Sequence, residues 1–157
     1  MRIIGKLNPS FSYDREFIFQ LVRASNVVVA FNEKRLGDAI YEAALAAFGR
    51  EAYLLHQRGI YEMKLAEDLP ALHEAAVHLS QALEIEPHNP AFQHSLAELA
   101  LKCSNLAMDE PEQVAWLAQA ESIATKLARY SNSSYAHHTL AKSAIAAVRN
   151  ALAKSRR

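Results

Sequence analysis

The chain has 157 residues, 51% of them hydrophobic, with seventeen basic and seventeen acidic side chains and a formal net charge of zero. That length supports one compact domain with a real core, and the neutral balance argues against a nucleic-acid binder driven by bulk charge. One cysteine excludes an internal disulfide framework, no stretch approaches the ~18 apolar residues of a membrane helix, and Met1-Arg2-Ile3-Ile4-Gly5-Lys6 has too short an apolar part for a signal peptide, so a soluble, cytoplasmic protein is expected.

Residues 5–13, with Asn8-Pro9-Ser10, read as loop, and Asp14 as a helix N-cap. Residues 15–31 then place Ile18, Leu21, Val22, Ser25, Val28 and Val29 at helical spacing, against the β-branched run Val27-Val28-Val29. Gly37-Asp38 introduces a helix over 39–48, which Gly49 ends in the position that favours a left-handed backbone. Further helices are predicted over 51–66 and 72–85, the latter stopped by Pro87-His88-Asn89-Pro90. Pro90 opens the next at its first turn, where its missing N–H costs nothing, and that helix runs to about residue 107. Asp109-Glu110-Pro111-Glu112 opens another to about residue 130, and Ser131-Asn132-Ser133-Ser134 caps the last. Short connections and the absence of any strand pattern make the expected fold all-α.

One segment is written three times. Leu55-His56-Gln57-Arg58-Gly59, Gln93-His94-Ser95-Leu96-Ala97 and His137-His138-Thr139-Leu140-Ala141 align with a histidine in one slot and a small residue three places later. The histidines are 38 and 44 residues apart, the length of a two-helix unit with a variable turn. Residues 1–50 then read as N-terminal helices that pack on or cap the array, and 51–157 as the repeats with a C-terminal capping helix.

Within the repeats, Ala75, Leu79, Ala82 and Pro87 have the spacing of the second helix and closing proline of a tetratricopeptide repeat, and Gly59, Ala97 and Ala141 match its small first-helix residue. Ala82-Leu83-Glu84-Ile85-Glu86-Pro87-His88-Asn89-Pro90 resembles that family's junction between units. The resemblance covers about residues 51–145 and implies an α-solenoid of helical hairpins. The chain departs from it at Arg58 and Glu62, where apolar residues are usual, and at 67–70 and 108–111, read as lengthened turns. His56-Gln57-Arg58-Gly59-Ile60-Tyr61-Glu62 and Gln93-His94-Ser95-Leu96-Ala97-Glu98-Leu99 also resemble the C-terminal helical arms of bacterial STAND-type NTPase defence proteins, which would make the chain a sensor arm without its motor.

Chemical motifs are missing. There is no phosphate-cradling glycine loop, CxxC, HExxH or G-x-S-x-G, so no catalysis, cofactor or metal is expected. In the helix from Pro90, Phe92, Leu96, Leu99, Ala100, Cys103 and Ala107 form the apolar stripe, and His94, Glu98 and Asn105 lie opposite it. Tetratricopeptide arrays line their concave surface with first helices. By alignment the groove would present Tyr53, His56, Ile60 and Lys64, then Ala91, His94, Glu98 and Lys102, then Tyr135, His138, Lys142 and Ile145. Such a mixture suits an extended peptide or a protein edge, so a polypeptide partner is expected.

Other features have plainer readings. His73, His78 and His88 have no ligand spacing and read as surface or rim residues, Cys103 as a buried small hydrophobe, and Trp116 as core with Val114, Leu117 and Ala120. Residues 61–125 hold eleven acids against Lys64 and Lys102, and Asp109, Glu110 and Glu112 fit the positive end of a helix dipole. No acid follows Ser122, and Lys142, Arg149 and Arg156 form a basic stripe at seven-residue spacing. That stripe could dock the acidic middle of another copy, or serve the alternative function, a nucleic-acid-associated protein using its basic C-terminal helix.

Overall fold

A computed structural model describes residues 34–130, together with Gln20, Arg23 and Ala24, which are helical. Within residues 34–130 five helices follow one another: α1 (Lys34–Phe48), α2 (Ala52–Leu65), α3 (Leu69–Ile85), α4 (Pro90–Leu106) and α5 (Glu110–Tyr130). No strand occurs among the described residues. The remainder of the predicted 15–31 helix and the predicted last helix lie outside them.

The starts of α2 to α5 each have a local chemical cause. Glu51, Asp68, Asn89 and Asp109 place side-chain oxygens on the backbone N–H groups of Leu54 (2.9 Å), Ala71 (2.9 Å), Ala91 (3.0 Å) and Glu112 (2.8 Å). These bonds satisfy donors that the first turn of a helix leaves without partners. Gln93 and Gln113 repeat a second device, each sending its amide Nε2 back six residues, to the carbonyls of Pro87 (2.6 Å) and Ala107 (3.0 Å). Gly49 ends α1 at φ +72, a backbone that side chains disfavour, and its N–H bonds the Leu45 carbonyl at 2.8 Å.

Two boundaries differ from expectation. α1 already includes Lys34–Gly37, where the expected helix began after Gly37. Gly37 lies inside the helix because Tyr61 of α2 occupies the space of its missing side chain, so that an added Cβ would stand 2.6 Å from the phenol Cζ. The turn at 67–70 is also shorter than expected, since Leu69-Pro70 already belong to the first turn of α3; α5 opens at Glu110-Pro111, within the expected Asp109–Glu112 start, and in both first turns proline is tolerated.

Packing follows chain order. α2 packs extensively on α3, and α4 on α5; α3 also meets α4, α1 meets α2, and α2 touches α4 along a narrower seam. Tyr41, Ala44, Leu54 and Tyr61 form the core between α1 and α2. Leu72, Ala75, Leu79, Leu99 and Cys103 form the core around α3 and α4, with Ile60, Met63 and Trp116 packed against it. Fully burying a leucine such as Leu72 or Leu79 contributes about 1.5–3 kcal/mol. α2 has neighbours on three sides, which explains why its buried residues, Ala52, Leu54, Leu55, His56, Gly59 and Tyr61, almost encircle it.

The expected stripe of α4 is buried at Phe92, Leu99, Ala100, Cys103 and Ala107, with Leu96 half-buried. Ser95, Ala97 and Ser104 are buried as well, since α3, α5 and α2 cover different sides of this helix. Trp116 is half-buried, its ring 5.9 Å from the imidazole of His73 on α3, whereas Val114 is exposed.

Candidate functional site

Of the predicted groove residues that are described, His56 and Lys102 bridge the seam between α2 and α4, and the set does not form an open row. His56 is buried at 5% exposure, in contrast to its expected place on the binding surface. Its ring stacks on Phe92 of α4 with centroids 4.3 Å apart, and its Nε2 lies 2.8 Å from Ser95 Oγ, also of α4. Alternation of apolar residues cannot reveal this, because a polar side chain is buried wherever a neighbouring helix supplies its partner.

The hydrogen-bond arrangement around His56 defines its tautomer. Ser95 Oγ donates to the Ala91 carbonyl at 3.1 Å, so its lone pair accepts from His56 Nε2–H. Nδ1, buried and without a partner, is then an acceptor. The opposite tautomer would leave an N–H donor stranded there, the costlier defect. Burial pushes the imidazole down from 6.5 to about 4; the Ala91 backbone acts the other way, and the charge of His94 adds to the depression. His56 therefore donates to Ser95 and does not draw a proton from it, so the pair lacks the sense of a base activating a nucleophile.

The other residues of the predicted site are partly committed to packing. Tyr53 is half-buried against the α1–α2 core, Ile60 against the core around α3 and α4, and Lys64 is exposed. On α4, Ala91 is half-buried beside Phe92. His94 and Glu98 are half-buried, with Nε2 and Oε1 4.0 Å apart one turn along the helix. Lys102 extends from the same stripe to α2, where its Nζ lies 2.5 Å from the carbonyl of Met63. That carbonyl belongs to the last turn of α2, the negative end of the helix dipole, so the ammonium ion acts as a cap supplied by a neighbour. His94, Glu98 and Lys102 thus run along the α2–α4 seam. Tyr135, His138, Lys142, Ile145, Arg149 and Arg156 lie outside the described residues, and with them the basic stripe.

A polar cluster that the sequence marked only as a departure joins α2 to α3. Arg58 Nε contacts Glu62 Oε1 at 2.9 Å, and His78 Nδ1–H donates to Glu62 Oε2 at 2.6 Å. All three side chains are about one-fifth exposed. Burial disfavours the charged carboxylate, but the hydrogen bonds and charges of His78 and Arg58 outweigh it and hold Glu62 below its ordinary value. His78 is consequently a member of the hairpin interface, not the rim residue expected. His73 and His88 are exposed.

Cys103 is fully buried, and burial, with the charge of Glu112, pushes its thiol up to about 11. Among the described residues no group of three His, Cys, Asp or Glu could hold a metal ion, and no helix is long and apolar enough to cross a membrane. Comparison of the chain with protein families, with curated proteins and with solved structures finds no match.

Proposed function

We propose that the chain is a tetratricopeptide-like scaffold that binds a polypeptide along the α2–α4 seam and carries out no chemistry of its own. The observation that supports this most is the repeated order of packing: α2 pairs with α3, α4 pairs with α5, and the first helices of the two hairpins touch. Such stacking builds one continuous surface from first helices. Burial of His56 shifts the centre of the proposed face to His94 and Glu98, with Tyr53 and Lys64 on the α2 side. An imidazole and a carboxylate one turn apart can donate to and accept from the backbone of an extended peptide.

Selection from a peptide-display library against the full chain tests this reading. Enriched peptides should bind His94→Ala and Glu98→Lys variants about tenfold more weakly, the loss expected of an interface anchor, while melting temperatures stay near that of the wild type. Peptides insensitive to both substitutions would place binding elsewhere, and failure to enrich any sequence would overturn the proposal.

A further inference from the structure

We propose that His56 is an acid-sensitive latch, whose protonation opens the α2–α4 seam while the two hairpins stay joined through the core between α3 and α4. One side chain of α2 is held there by two side chains of α4, Phe92 through ring stacking and Ser95 through a hydrogen bond. The direct contact between these helices is narrow compared with the packing inside either hairpin, and this cluster is one of its polar links among the described residues, with Lys102 on the Met63 carbonyl as another. Nδ1 is the one atom of the cluster without a partner, and it is where a proton would bind.

The surroundings oppose that proton on balance: burial disfavours it most, and the Ala91 backbone, which favours it, does not outweigh that. From α4 the titratable group acting on His56 is His94, whose charge has the same sign, and Glu98 on the same helix is drawn towards His94 at 4.0 Å. α1 and α3 contribute Leu45, Ala82 and Leu83 to the adjoining apolar cluster, none of which is titratable. A buried imidazolium with an unsatisfied N–H reaches water only when the seam opens.

The direction follows from linkage. In the open state the imidazole has its ordinary value of 6.5, and in the closed seam it is held near 4. The open form binds the proton more tightly, so closure is at full strength above pH 6.5 and weakens as the pH falls towards 4. The closing equilibrium should drop about tenfold by pH 5.5 and about thirtyfold by pH 5, relative to its alkaline limit. This inference rests on the packing of His56 and not on peptide binding, so either can fail without the other.

Amide-exchange protection factors and imidazole nitrogen shifts of the full chain, recorded from pH 7.5 to 5, test the latch. In the wild type, His56 should keep a neutral Nε2–H signature in the closed state, while protection in α2 and α4 falls about tenfold by pH 5.5. His56→Phe retains a ring against Phe92 and should abolish that fall. An equal fall in the variant would assign the pH dependence to other groups and overturn the latch. If His56→Phe does not fold, the wild type decides alone: protection that does not change with pH, or a His56 that titrates near 6.5 in the closed protein, overturns it.

Discussion

A methyl group on the Cα of Gly59 would stand 2.6 Å from Cγ of Leu79 and 3.2 Å from the carbonyl oxygen of Ala75, because α2 and α3 cross at this pair. Leu79 is fully buried, and a close-packed interior resists its displacement. Gly59→Ala gains about 1 kcal/mol in helix propensity, but overpacking of this kind costs about 1–3 kcal/mol. A net loss of about 1–2 kcal/mol is expected in chemical denaturation. Leu79→Ala alone should cost about 2–5 kcal/mol, and adding Gly59→Ala in that background should cost nothing further, since the cavity accepts the methyl. Additive losses would mean that the two residues do not share the crossing.

The Arg58–Glu62–His78 cluster should make the first hairpin sensitive to strong acid. Glu62 is held below its ordinary 4.5 in the folded chain, so the unfolded chain binds the proton more readily. Its contribution is present above pH 4.5 and is lost as the pH falls through the lower folded value. Glu62→Gln should destabilise the protein by about 1.5–3 kcal/mol at pH 7, the range for hydrogen bonds to charged groups, and should flatten the acid limb below pH 4.5. Parallel acid limbs for the variant and the wild type would show that Glu62 does not set this slope.

Cys103 should resist thiol reagents until the protein unfolds. With the thiol raised from 9.0 to about 11, its thiolate fraction at pH 8 falls about 100-fold, and full burial blocks access as well. Labelling of native protein at pH 8 should therefore be at least about 100-fold slower than in denaturant. Equal rates in the two conditions would show that the core around α3 and α4 opens freely.

Local chemistry made the helices legible. Asp68, Asn89 and Asp109 act on the next few residues of the chain, Pro70, Pro90 and Pro111 fit only the first turns they occupy, and Gly49 takes a backbone that other residues avoid. The small Gly59 opposite Ala75 and Leu79 likewise foretold a close helix pair. The all-α class and most boundaries follow from such short-range preferences, which the sequence alone determines. Tertiary structure decided what residues separated along the chain do to one another. Gly37 looks like a helix breaker until Tyr61 fills its space, Glu62 looks misplaced until His78 and Arg58 surround it, and His56 looks like a surface ligand until Phe92 and Ser95 enclose it. Periodicity records how many apolar residues a helix has, but a buried polar group is stable only if a partner meets it in space, and the partners here come from other helices.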